Sequence, residues 1–187
     1  MQTSATALLK YFAKFPQREG LIKLFDKNVL PGTMGSAYTE IKEYVSGIET
    51  EPLIPDLETL VFGQDENFVD RIIQQTNGFF LMVEYGPMRG NSPNKTGRRD
   101  ADWKLNVIIA YHFNADTFDP ITETVVMDRC LGYLLQIAAQ MEADEYPICP
   151  LKRFSESALH FTPVNPTELY QSIGWMMDFS ETIQAIV

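Results

Sequence analysis

The chain has 187 residues and a mass of 21.3 kDa, enough for one domain, or one domain with an elaborate extension, and too short for two full cores. With 45% hydrophobic, 21% charged and 12% aromatic residues it belongs with globular proteins, which excludes a collagen, a coiled-coil rod and a low-complexity tail. Fifteen basic against 25 acidic residues give a net charge of −10, so the surface repels phosphate backbones and sequence-independent gripping of DNA or RNA is not expected.

The pattern divides near residue 77, into a helical amino-terminal extension (1–77) and an α+β core domain (78–187). Thr3 or Ser4 can cap a helix through Phe15, with Leu8, Leu9, Phe12 and Phe15 on one side and Pro16 as its stop. A second short helix is predicted over 17–27, with Leu21, Ile22, Leu24 and Phe25 inward. A loop is expected over 28–35, and a helix from Ser36 to Ser46 ending at Gly47. Pro52 and Pro55 hold an extended linker. Asp56 is expected to open a further helical stretch and Asp65 to cap the next one, where Phe68, Val69, Ile72 and Ile73 recur at helical spacing before an Asn77-Gly78 left-handed stop.

From Gly78 the period changes from 3.6 to 2. Phe79 to Tyr85 alternates as a strand that Gly86-Pro87 is expected to end, followed by a long polar loop over 86–102. Trp103 to Phe113 alternates again, with Trp103, Leu105, Val107, Ile109, Tyr111 and Phe113 on one face. Asp119 as cap and Pro120 at the first helical position start the longest helix. Its buried stripe is expected to be Met127, Leu131, Leu134, Ala138 and Met141, widened by Val125, Leu135 and Ile137. Strands are predicted over Ala158–Val164 and Leu169–Ile183. The sum is a small, mainly antiparallel sheet with one long helix packed on it, preceded by a helical extension.

Sites of chemistry are sparse. His112 and His160 lack a carboxylate or cysteine at metal-ligand spacing and read as structural or surface side chains. Cys130 falls inside the apolar helical pattern, and no Cys/His cluster suggests zinc. Phosphate-cradling glycine loops and a nucleophile elbow are missing, so no catalytic, cofactor or metal set is expected. The acidic groups Asp65-Glu66 and Glu142/Asp144/Glu145 read as helix caps and solvated ends. No run of about 18 apolar residues occurs, so no membrane span is expected. The first residues lack the order of a signal peptide, and two thiols without one suggest a reducing compartment. Segment 86–102 concentrates the minority charge: Arg89, Lys95, Arg98 and Arg99 against Asp100 and Asp102. It reads either as a floppy excursion or as a cationic arm reaching an acidic neighbour, possibly another copy of the chain.

The order of strand, long loop, alternating strand (Trp103–Phe113), helix (Ile121–Met141) and strands ending in Gly174-Trp-Met-Met-Asp-Phe-Ser180 resembles the tail-terminator and tail-completion proteins of tailed bacteriophages. That resemblance covers the carboxy-terminal 110 residues and consists of element order. The first 77 residues are longer than the leader it would predict. It implies a structural virion subunit without enzymatic activity, in a ring, hexameric in that family, that terminates the tail tube and joins it to the connector. Its partners would be other copies and the neck, connector and tube proteins. DNA would pass through the lumen without specific binding, and Arg89, Lys95, Arg98 and Arg99 would make the subunit contacts. Two other expectations stand beside it. One is a monomeric cytosolic ligand-binding module with residues 1–77 as a lid. The other is an enzyme whose site gathers Asp102, His112, Asp178 and His160.

Overall fold

Ser4 accepts a hydrogen bond from the Ala7 amide at 3.2 Å and so caps the first helix, α1 (Ala5–Phe12), as its position before an apolar run predicts. The computed structural model describes residues 4–22, 24–25, 32–63, 66–90, 100–113, 119–144, 148–150, 159–167 and 169–184. After α1 come α2 (Arg18–Ile22), α3 (Gly32–Ser46), β1 (Leu57–Phe62), α4 (Glu66–Gln74), β2 (Phe79–Gly90), β3 (Asp100–His112), α5 (Pro120–Ala143), β4 (His160–Val164) and β5 (Ser172–Gln184). The strands form one mixed sheet in the order β1-β2-β3-β5-β4. Only β1 and β2 run parallel. The α+β class holds, with the long helix α5 packed on the sheet.

Two layers cover the sheet because β3 alternates. Its odd residues Trp103, Leu105, Val107 and Ile109, with Leu81 and Val83 of β2 and Ile173 and Met177 of β5, form the first face. There they meet Val126, Cys130, Leu134, Ile137, Ala138 and Met141 of α5, and Leu8 and Phe12 of α1. On the second face Phe80, Met82, Ile108, Ala110 and Val164 meet Val69, Ile72 and Ile73 of α4. Asp119 accepts from the Ile121 and Thr122 amides at 2.8 and 3.0 Å, which caps α5 as expected.

Several sequence expectations need correction. The stretch after Asp56 is the strand β1, not a helix. It is an edge strand buried at Leu57, Thr59, Leu60 and Val61 and carries a register shift between Leu57 and Thr59, so its buried positions follow neither simple period. Thus β1, on the amino-terminal side of the division expected at 77, is hydrogen-bonded to β2, and α1 contributes to the same core as β3. The helix after the 28–35 loop starts earlier, at Gly32, and the one expected over 17–27 is only five residues long, with Ile22 exposed rather than inward. Neither Asn77 nor Gly78 is left-handed. Thr76 ends α4 through its amide and hydroxyl, bonded to Ile73 and Ile72 carbonyls, and Asn77 donates to Glu58 at 3.2 Å. Asp65 lies outside the described residues.

Gly86-Pro87 does not end β2. The pairing with β3 skips between Tyr85 and Met88 and resumes, and the Trp103 indole donates to the Gly86 carbonyl at 3.1 Å across the irregularity. The strand expected from Leu169 begins at Ser172, because Tyr170 and Gln171 form a turn in the left-handed region with φ of 43° and 56°; β4 begins at His160, and Ala158 lies outside the described residues.

Both sheet edges are modified. The Gln17 amide donates to the Leu57 carbonyl at 2.9 Å, and Thr59 bonds the Gly20 carbonyl, so the α2 segment lies along the outer side of β1. At the other edge β4 has five residues, one of them Pro163.

Inside the sheet Gly174 admits no side chain: a Cβ there would sit 2.0 Å from the Ile109 carbonyl oxygen and 2.6 Å from the Ala110 Cα. Gly174→Ala should therefore cost about 1–3 kcal/mol or more in urea unfolding. Gly132→Ala on α5, where a Cβ would meet nothing within 4 Å, should instead add about 0.5–1 kcal/mol.

Candidate functional site

Three places on the molecule can carry function: the far end of the β2-β3-β5 ladder, a cleft on the second sheet face, and the outward side of α5.

The ladder end holds the described parts of the predicted cationic segment, 86–90 and 100–102. Tyr85, Trp103 and Phe179 are the last described side chains of these strands in the first-face core, yet the hydrogen-bonded pairing continues to Gly90↔Ala101 and Asp100↔Gln184. The segment expected to be a loop over 86–102 is thus strand at both ends. Arg89 lies in β2, registered opposite Asp102 of β3, an opposite-charge cross-strand position. Lys95, Arg98 and Arg99 lie outside the described residues.

On the second face the register assembles a polar row that spacing along the chain does not reveal. Glu84 of β2 pairs with Asn106 of β3, Asn106 with Asp178 of β5, and Asp178 with His160 of β4. Asn106 donates to the Glu84 carboxylate at 2.9 Å. Beside this row Met82, Ile108, Met176 and Thr162 continue the floor, and Val69, Leu169 and Tyr170 rise around it. Together they line a cleft of about 300 Å³. Two methionines give the floor soft, adaptable walls. Glu84 lines this cleft and can accept hydrogen bonds from a polar or cationic group, while Asp178 stands two strands away, about 10 Å, outside its lining.

Two of the four residues named for an enzyme site come together and two do not. Asp178 and His160 are cross-strand partners. His112 lies six residues along β3 from Asn106, about 20 Å away, with Nδ1 3.2 Å from the Tyr170 carbonyl and 3.4 Å from Ser172 Oγ. It holds the left-handed turn rather than the polar row. Asp102 lies four residues beyond Asn106 in the other direction, opposite Thr182.

The acidic cluster at the end of α5 is a structural junction. Asp144 accepts from Tyr11 at 3.1 Å, Gln140 at 2.8 Å and Lys14, joining α1 to α5. Burial pushes its carboxyl up, but the hydrogen bonds from Lys14 and Gln140 outweigh that and hold it below the usual carboxylate range. Burial, Cys149 and Asp144 together raise Tyr11. Glu145 and Asp65 lie outside the described residues. Among those described, no group of three or more His, Cys, Asp or Glu is placed to hold a metal ion. Burial alone pushes the Cys130 thiol up to about 12.

The outward side of α5 corrects the expected stripe. Val125 and Leu135, assigned inward, are exposed with Ile121, whereas Val126 and Cys130 point to the core. Asp56 takes up Tyr133 and Arg129 at the margin of this face, and Gln136 donates to the Leu53 carbonyl at 3.3 Å. A shallow groove runs past Val125, Asp128, Gly132 and Tyr133.

No protein-family profile, curated protein or solved structure matches the chain.

Asp144 provides a pH test. Its carboxyl is depressed in the fold, so its contribution is present above the unfolded carboxylate value of about 4 and lost as pH falls through the folded value. Asp144→Asn should lower the melting temperature at pH 7, with the gap to the parent closing on acidification. Cys130 provides another: iodoacetamide at pH 8 should modify it only after unfolding, read by intact mass.

Proposed function

We propose that the chain is a non-enzymatic assembly subunit that builds a ring with other copies of itself, in the manner of the phage neck proteins that close a tail tube and join it to the connector. The observation that carries this reading is the β2-β3-β5 ladder, whose pairing runs to Gly90↔Ala101 and Asp100↔Gln184, so that the strands leading into and out of segment 91–99 are held in one sheet. Segment 86–102 has four basic and two acidic residues in a chain of net charge −10, so a neighbouring acidic body attracts it. An acidic ring also suits a channel for DNA, since each phosphate contact avoided removes an anchor. The virion neck is then the place of action, and other neck, connector and tube proteins are the partners. Arg89, Lys95, Arg98 and Arg99 are the contact residues.

A second reading, a ligand-binding module, draws on one observation, the methionine-floored cleft with Glu84 at its rim. Native mass spectrometry of the purified chain would detect a retained small molecule if that reading holds.

The ring reading predicts a closed oligomer of the intact chain that dissociates with added salt. Replacing 91–99 by a two-residue Asn-Gly turn should leave a folded monomer in sedimentation velocity. An oligomer indifferent to that replacement would end the reading.

A further inference from the structure

The cleft on the second sheet face has the make-up of a small-molecule site, a concave apolar surface with few polar groups. Met82, Ile108 and Met176, side by side on β2, β3 and β5, form its floor, and Leu169 and Tyr170 form a wall. Its volume of about 300 Å³ is at the small end for ligand pockets.

A strained backbone and an isolated charge converge on this cleft. Tyr170 and Gln171 stand in the left-handed region, with φ of 43° and 56°, where residues with a Cβ are uncommon. The turn is held from several directions. The Leu169 amide donates to the Asn165 carbonyl at 3.2 Å, that of Gln171 to Pro166 at 3.0 Å and that of Ser172 to Leu169 at 2.8 Å, and His112 Nδ1 lies 3.2 Å from the Tyr170 carbonyl. Strain over-determined in this way collects at ligand sites, and here it fixes the wall before a ligand arrives. The charge is Glu84. Among the described residues it is the only charged side chain in the lining, it is half-buried, and it takes one hydrogen bond, from Asn106 at 2.9 Å. Lys104, two residues from Asn106 on the same face of β3, is exposed and forms no ion pair with it.

We propose that the cleft binds a small organic cation, an apolar body of one or two rings that carries a single protonated amine. The body lies on Met82, Ile108 and Met176, whose thioethers adapt to its outline. The ammonium donates to the carboxylate lone pairs that Asn106 leaves open, a charge-assisted bond inside an apolar surround. Tyr170 adds an aromatic wall of the kind that attracts cations. Other classes fit worse. An anionic ligand meets Glu84 with like charge, and a neutral apolar one strips water from the carboxylate without replacing its hydrogen bonds. The inference rests on the ligand-binding reading of the cleft, which it narrows to one chemical class. It makes no demand on the ring, because a subunit within a ring can hold the same ligand.

The test is methionine-methyl NMR of the full chain, titrated at pH 7 with phenethylamine and tryptamine. Both amines should shift the Met82 and Met176 signals, assigned through Met82→Leu and Met176→Leu, and reach saturation. Phenylethanol, the same body with a hydroxyl for the ammonium, should bind about tenfold more weakly, and phenylpropionate more weakly still. Glu84→Gln, whose amide oxygen still accepts from Asn106, should lower amine affinity about tenfold and leave phenylethanol unchanged, with the melting temperature retained. Amine and alcohol binding equally well to the parent chain, a comparison that needs no variant, overturns the cation class and keeps the cleft as a ligand site. An amine affinity indifferent to Glu84→Gln, or a preference for phenylpropionate, does the same. Methionine signals that move with none of the probes overturn the cation class and the ligand-binding reading together.

Discussion

The pleat of β3 is the constraint on which the rest depends. This strand is bonded on both sides, through thirteen consecutive partners with β5 and ten with β2. Its odd residues from Trp103 to Ile109 must be covered by one layer and its even residues Ile108 and Ala110 by another. A slip of one residue would exchange Leu105 and Val107 for Lys104 and Asn106 under α5, burying charge against an apolar helix. Gly174 adds to the same constraint, because the contact of β5 with Ile109 and Ala110 leaves no room for a Cβ. Once β3 is fixed, α5 and α1 have one face to occupy and α4 has the other.

This arrangement explains which parts of the fold were legible. The β3 alternation, the Asp119-Pro120 start of α5 and the Ser4 cap of α1 are local signals, and each does locally what its residue types dictate. The strand β1 was not legible, because a register shift disrupts its alternation and Asp56 in front of it looks like a cap; Asp56 instead takes up Tyr133 and Arg129. Gly86-Pro87 reads as a terminator only if the partner strand is ignored; with β3 alongside, the ladder steps over it.

The candidate sites depended still more on pairing. Nothing in the spacing of Glu84, Asn106, His160 and Asp178 relates them; three ladders in register place them in one row. The α5 faces show the converse difficulty. Val125, Val126, Leu134 and Leu135 are equivalent by hydropathy, and a helix apolar on both sides gives no sign of which side the sheet will choose. Core shape decided.

The treatment of the sheet edges has a consequence for how the molecule behaves among many copies of itself. With α2 laid along β1 and with β4 short and interrupted by Pro163, neither margin offers a long row of free amides on which another chain could continue the sheet. Fibre-like polymerisation, the usual hazard of crowded β-proteins, is discouraged at its first step.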